Sequence, residues 1–355
     1  MVPPARTRNE KAAFGTGPEQ ETFSLWPRHR LPGLTRRELL IAGMAISSVP
    51  LWGHFAALAA ESLTAAAPAA KAMSFSEIAP GVYVHTGRHE LQSADNRGDM
   101  SNAGFIVGDD AVAVIDTLGS AQVGADMRAA IKAITDKPIR YVINTHMHPD
   151  HVFGNIAFRD DKPEFVAHHK MARGLSARAE TYLNNTKAAL GEAAFEGTEI
   201  VLPTLPVQDK LTLDLGGREL VLEAQPAAHT DNDLIVTDAK TGTMFLGDLL
   251  FSEHIPTLDG SLRGWLTVID KLESSPPARV VPGHGPASME IPAALADEKR
   301  YWQTVAGDVR KLIAEGKTLS DATKTAGQSE RGKWEMFDQY HVRNVTAAFA
   351  ELEWE

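Results

Sequence analysis

The sequence predicts an α/β protein in which two β-sheets pack face to face beneath outer helices. Three observations carry that expectation. A group of β-rich runs is followed by a helix and a short apolar strand, and the same succession then recurs. That order favours two sheets sandwiched by helices. At 355 residues, with 43% apolar and 23% charged content, the chain is also long enough to bury a large core.

The elements follow in order. "GVYVHTGR" is strand-like, and "SNAGFIVGDDAVAVIDT" reads as a hairpin around a Gly-Asp-Asp turn. Residues 121–137, "AQVGADMRAAIKAITDK", place apolar side chains three and four apart and predict a helix. "IRYVINT" (139–145) is a short buried strand, "EFVAHH" (164–169) another, and Lys170 to Leu190 a helix. "DKLTLDLGGRELVLEAQPAAHT" alternates at period two about Gly216–Gly217, and "NDLIVTDAKTGTMFLGDLLF" does the same about "KTGT". "SLRGWLTVIDKLESS" (261–275) is helical, "ARVVPGHG" (278–285) is a strand, and residues 290–355 are mainly helical.

The first 60 residues differ from the rest. "LTRRELLIAGMAISSVPLWGHFAALAAES" pairs Arg36 and Arg37 with an uncharged run from Leu39 to Ala60 that ends in small residues. It resembles a twin-arginine export signal with a cleavage site, which predicts a periplasmic protein. The alternative is a membrane anchor facing the periplasm, although Pro50, Gly53 and His54 make the run only mildly hydrophobic. The expected layout is a signal at 1–60, an Ala-rich linker at 61–74, a catalytic domain at 75–290 and a helical extension at 291–355. No stable membrane insertion is expected once the signal is removed. Residues 1–60 carry a net charge of +3, which leaves −14 on the remainder of a chain whose total is −11. So acidic a body is a poor nucleic-acid binder.

The chain has no cysteine, which excludes disulfides, thiolate–zinc sites and thiol nucleophiles. Any metal must be held by nitrogen and oxygen. "NTHMHPDHVFGN" (144–155) packs three histidines and an aspartate into six positions directly after a strand. Such a cluster is a poor core segment but suits a cation at a sheet edge. His146 and His148 are placed to share one ion, and Asp150 and His151 a second. One ion needs three or four ligands, so remote partners are required. They stand at three further strand ends: His229 in "QPAAHT", Asp248 in "FLGDLLF" and His284 in "VPGHG".

This ordered set closely resembles the metallo-β-lactamase fold superfamily over residues 75–290. The resemblance implies a four-layer αββα sandwich with a C-terminal helical extension. It also implies two Zn²⁺ ions: one on His146, His148 and His229, the other on Asp150, His151 and His284, with Asp248 bridging both. Asp116 in "VIDT" matches an early aspartate of the family and would support the ligand loop. The implied chemistry is hydrolysis of an ester, thioester, lactone or lactam-like small molecule by a zinc-activated water, with Asp150 orienting that water and passing on its proton.

Within the superfamily, cysteine-dependent lactamases are excluded by composition. Only 35 residues separate Asp248 from His284, too few for the inserted domain of nucleic-acid-processing members. "HIPTLDGSLRGW" and "YHVRNVTAAFAELEWE" resemble the quinoprotein relay system zinc metallohydrolases, which implies a periplasmic quinoprotein or redox partner. Two alternatives stay open: a persulfide dioxygenase holding one Fe²⁺ on His148, His229 and Asp248 or a matching trio, and a non-catalytic metal-binding accessory protein. His254, Asp259 and Ser261 follow Asp248 and are expected either to touch substrate or to anchor the loop. His85, His89, His168, His169 and His341 are expected to be structural.

Overall fold

The computed structural model describes residues 73–355, and the export-signal and linker expectations for the preceding residues lie outside the described residues. Among the described residues no helix is long and apolar enough to cross a membrane. The first sheet contains β1 (Ser76–Ala79), β2 (Val82–His85), β3 (Ala103–Val107), β4 (Val112–Ile115), β5 (Ile139–Ile143), β6 (Glu164–His168) and β7 (Leu205–Val207), paired in chain order. Strands β1 to β4 pair antiparallel, and β4 to β7 pair parallel. The second sheet contains β8 (Lys210–Asp214), β9 (Glu219–Ala224), β10 (Leu234–Asp238), β11 (Thr243–Phe251) and β12 (Arg279–His284). Only its β11–β12 pair is parallel, joined by helix α4 (Leu262–Ser274). A parallel pair needs such a crossover, which is why a helix precedes each of β5, β6, β7 and β12.

The sheets meet through branched side chains. Val82, Ile106, Ile115, Ile143 and Val166 of the first face Leu220, Leu222, Leu234, Val236 and Val281 of the second. Helix α1 (Ala121–Ile134) covers the outer face of the first sheet with Val123, Met127 and Ile131, one turn apart, against Phe105, Val114 and Val142. Its start is capped by the Ser120 hydroxyl, which accepts from the Val123 amide at 3.3 Å. The helix stops at Ile134, three residues short of the expected end, where Thr135 takes an extended conformation. The predicted helix from Lys170 becomes Met171–Phe195 (α3), longer than expected because a second segment continues beyond a non-helical Gly191.

The outer face of the second sheet is covered by α4, α5 (Ala293–Ala314), a short α6 (Leu319–Thr325) and α7 (Phe337–Leu352). Trp265 of α4 and Trp302 of α5 are fully buried with ring centroids 4.9 Å apart. The segment expected as a C-terminal extension therefore forms part of the fourth layer and shares its apolar core with α4. A buried one-to-one ion pair stabilises the hairpin end of the second sheet: Arg218 Nε and Nη2 donate to the two Asp238 oxygens at 2.9 and 2.7 Å.

Candidate metal centre

All seven expected side chains converge at one edge of the sandwich. His146, His148, His229 and Asp248 bring ligand atoms within 4.8 Å of one another, and Asp150, His151 and His284 form an adjoining triad. His146 and His148 lie in the loop leaving β5. Asp150 and His151 lie in a single helical turn, α2 (Pro149–Val152), which Pro149 starts with its preset φ. His229 sits between β9 and β10, Asp248 within β11, and His284 at the end of β12. Asp248 stands between the two groups. Its Oδ2 is 3.3 Å from His229 Nε2 and 3.7 Å from His146 Nε2, while its Oδ1 is 3.1 Å from His151 Nε2 and 3.5 Å from His284 Nε2.

The backbone is shaped to present that carboxylate. Gly247 takes a left-handed φ of 52° inside the strand, at a break in the β11–β12 register, and a Cβ there would overlap the Thr145 side chain. Gly283 lies directly against Asp248, and a Cβ at that position would overlap Asp248 Oδ1. Asp116 is a non-glycine residue at φ 56°, a conformation that aspartate tolerates better than most residues.

Each histidine turns one ring nitrogen to the centre and donates from the other to a fixed acceptor. His151 Nδ1 donates to Asp116 Oδ2 at 2.8 Å. His146 Nδ1 donates to Thr145 Oγ1 at 3.1 Å, and that hydroxyl donates onward to Asp116 Oδ2 at 2.8 Å. The second Asp116 oxygen accepts the Thr145 amide at 2.8 Å. His229 Nδ1 donates to the Thr257 carbonyl at 2.7 Å, and His284 Nδ1 to the Met100 carbonyl at 3.0 Å. His148 is reversed: its Nδ1 faces His146 and His229, and its Nε2 donates to Asp259 Oδ2 at 3.1 Å. This arrangement turns five ring nitrogens inward, which once free of their protons form the donor set a divalent cation needs. His151 Nε2 and Asp248 Oδ1 are buried with no hydrogen-bond partner, as atoms reserved for a cation would be.

The electrostatics agree. Burial, reinforced by the neighbouring His151, pushes His146 well below the usual imidazole range. Burial likewise drives His229 down to about 3 despite Asp248. On the other side burial is overcome: Asp248, Asp150 and Asp116 hold His151 well above the usual range, and Asp248 and Asp150 raise His284 to about 9. Although burial opposes it, the imidazoles keep Asp150 and Asp248 ionised far below the usual carboxylate range. The Asp150–His151–His284 side therefore favours positive charge, and a cation binding there would displace protons.

The remaining expected residues fall into different places. His254 is buried, donates from Nδ1 to the Ile255 carbonyl at 2.6 Å and stacks on His284 with centroids 5.0 Å apart. Asp259 supports His148. For Ser261 the anchoring alternative is the one with contacts: its hydroxyl caps α4 through the Gly264 amide at 3.0 Å and donates to Glu351 at 2.7 Å, which ties α4 to α7. The isolated histidines pack structurally. His341 donates from Nε2 to the Ala326 carbonyl at 2.8 Å, His168 and His169 stack on each other, and His85 and His89 pair with Asp99 and Glu335. Sequence reasoning missed Thr145, Arg178, Tyr182 and Arg343. Only Thr145, adjacent to the ligand motif, carried a signal.

With this geometry in view, the chain belongs to the metallo-beta-lactamase superfamily, most of whose members are hydrolases; the family profile matches residues 96–284. It is 25% identical over 175 residues to a protein named acyl-coenzyme A thioesterase MBLAC2 from Bos taurus, covering 44% of this chain and 60% of that protein. It is 23% identical over 207 residues to a linear primary-alkylsulfatase from a Pseudomonas species, covering 48% of this chain and 39% of that one. The chain thus spans less than two thirds of either curated relative. Among solved structures, a metallo-beta-lactamase from Pontibacter korlensis superposes with a TM-score of 0.53 at 18% identity, over 65% of this chain and 98% of that one.

Proposed function

We propose that the protein is a dinuclear zinc hydrolase acting on an ester, thioester or related acyl compound. One observation carries the reading: five histidines have their outer nitrogens tied away, and Asp248 lies between two ligand groups. Nitrogen and oxygen donors without cysteine suit zinc. The triad Asp150–His151–His284 favours two ions over a lone iron, which would need only two histidines and a carboxylate. When bound, two zinc ions supply a water ionised near neutral pH and a Lewis acid for the substrate oxygen.

The chain's own groups supply the rest. His146, His148 and His229 would hold one ion, Asp150, His151 and His284 the other, with Asp248 shared. Asp150 Oδ2, 3.4 Å from His284 Nε2, belongs to the most exposed carboxylate of the set and is ionised. It would orient the nucleophile and pass a proton to the leaving group. The Asp150 backbone is pinned by Ser101 Oγ, which donates to its carbonyl at 2.5 Å. The bovine relative's name makes thioesters the first class to test. Export through residues 1–60, and a periplasmic quinoprotein or redox partner, rest on sequence and complete the proposal.

The test is metal analysis followed by turnover of an acyl panel. Near two zinc per chain, with hydrolysis that falls by orders of magnitude in Asp150→Ala and His148→Ala, is the expected result. One iron per chain, or turnover untouched by both substitutions, would refute it.

A further inference from the structure

Two arginines from different helices converge on one carboxylate beside the centre. Arg178 of α3 donates from Nη1 to Asp259 Oδ2 and to the Tyr182 hydroxyl, the latter at 3.2 Å. Arg343 of α7 brings Nη2 to 3.4 Å from Asp259 Oδ1. Asp259 Oδ2 also accepts from His148, so both guanidiniums stand one side chain from a candidate ligand.

A purely structural ion pair looks different in this same molecule. Arg218 and Asp238 form a closed, one-to-one, bidentate pair with side chains 3% and 0% exposed. At Asp259 two cations share one anion, and the exposure runs the other way. The Asp259 side chain is 17% exposed, whereas Arg178 and Arg343 are 40% and 56% exposed. Two guanidiniums thus stand against a single carboxylate. The cluster therefore carries one surplus positive charge at its outer rim. A guanidinium has five N–H donors in a planar fork. Arg178 Nε and Nη2, and the guanidinium of Arg343 apart from the Nη2 that faces Asp259, have no hydrogen-bond acceptor among the described residues. Residues 61–355 carry a net charge of −14, so an anion approaching this protein is repelled except where such a rim faces it.

We propose that Arg178 and Arg343 form a receptor for an oxyanion carried by the substrate, a carboxylate or a sulfate, remote from the bond that is broken. The proposal rests on the hydrolase reading and names the substrate class: acyl compounds with a second, anionic end. Asp259 spaces the two forks and couples them to His148, so the bound anion lies at a fixed distance from the centre.

The test compares matched esters on zinc-loaded protein: 4-nitrophenyl hemiglutarate, which is anionic, and neutral 4-nitrophenyl butyrate. The wild type favours the anionic ester. Arg343→Gln and Arg178→Gln each lower the anionic-to-neutral ratio of kcat/KM by about tenfold. A merely structural role would depress both esters together, and an unchanged ratio in both variants overturns the proposal. Calorimetric binding of glutarate and of methyl sulfate to the same zinc-loaded proteins provides a readout without turnover. Binding of either anion that weakens about tenfold in the variants supports the receptor, and the better ligand of the two identifies the oxyanion. No binding of either, or binding indifferent to both substitutions, overturns it. Failure to turn over any ester while the anion still binds counts against the hydrolase reading alone.

Discussion

Asp116 and His151 are 2.8 Å apart through Asp116 Oδ2 and His151 Nδ1, and the same carboxylate takes both the amide and the hydroxyl of Thr145. One side chain at the end of β4 thereby orients two histidines that lie five residues apart. Asp116→Asn keeps the size but replaces an acceptor with a donor facing His151 or Thr145. The expected result is a loss of roughly 10–100-fold in zinc affinity or turnover, read by competition with a chelating dye and by kcat/KM. Full zinc affinity in Asp116→Asn would remove Asp116 from the site.

Gly283 offers a test of packing rather than of charge. A Cβ at 283 overlaps Asp248 Oδ1, so Gly283→Ala must displace the shared carboxylate. Because small displacements of catalytic groups are costly, activity should fall about 100-fold or more, with the far-ultraviolet circular dichroism of the wild type retained. An alanine variant with normal turnover would show that Asp248 tolerates movement.

Removing the metal should cost stability as well as activity. A ligand that binds only the folded state stabilises it by about 2.7 kcal/mol at 100 times its Kd. Chelation should therefore abolish turnover and lower the thermal midpoint, and added zinc should restore both. Acidification should release the ions, because protons compete for the imidazoles and carboxylates of the site. Activity that survives exhaustive chelation would contradict the assignment.

The buried Arg218–Asp238 pair governs acid stability away from the site. Burial opposes ionisation of Asp238, yet Arg218 and the Thr241 hydroxyl hold its carboxyl below the ordinary 3.8. A depressed carboxyl contributes stability that is complete above 3.8 and is lost as the pH falls through the folded-state value. Arg218→Leu leaves a buried carboxylate unpaired and should cost about 3–5 kcal/mol at neutral pH. The double variant Arg218→Met with Asp238→Leu should recover much of that loss and flatten the acid limb. Denaturant unfolding at several pH values measures both effects, and an Arg218→Leu protein as stable as the wild type would count against the pair.

Much of this was legible in the sequence because it depends on local periodicity and on rare residue types. Period-two runs around Gly216–Gly217 gave the hairpin, and the spacing of Val123, Met127 and Ile131 gave α1. The seven ligand candidates stood out because three histidines and an aspartate crowd into residues 146–151 and call for remote partners. What did not show is long-range in the chain. Arg178 is 81 residues from Asp259 and looks like any arginine on an exposed helix face. Ser261 is open in the sequence between touching substrate and anchoring its loop, and only the folded chain reveals Glu351 beside it. The carbonyls of Thr257 and Met100, which orient His229 and His284, are backbone atoms that no residue pattern announces.

Helix α7 braces residues 256–262. Asn344 takes the Leu258 amide at 3.0 Å and donates to the Pro256 carbonyl at 2.6 Å, and Glu351 accepts from the Leu262 amide at 2.7 Å. Every histidine of the centre is synthesised by residue 284, yet the loop that aligns His229 and His148 is held from residues 343 to 351. The alignment of His229 and His148 is therefore completed only by α7, a helix that supplies no ligand of its own.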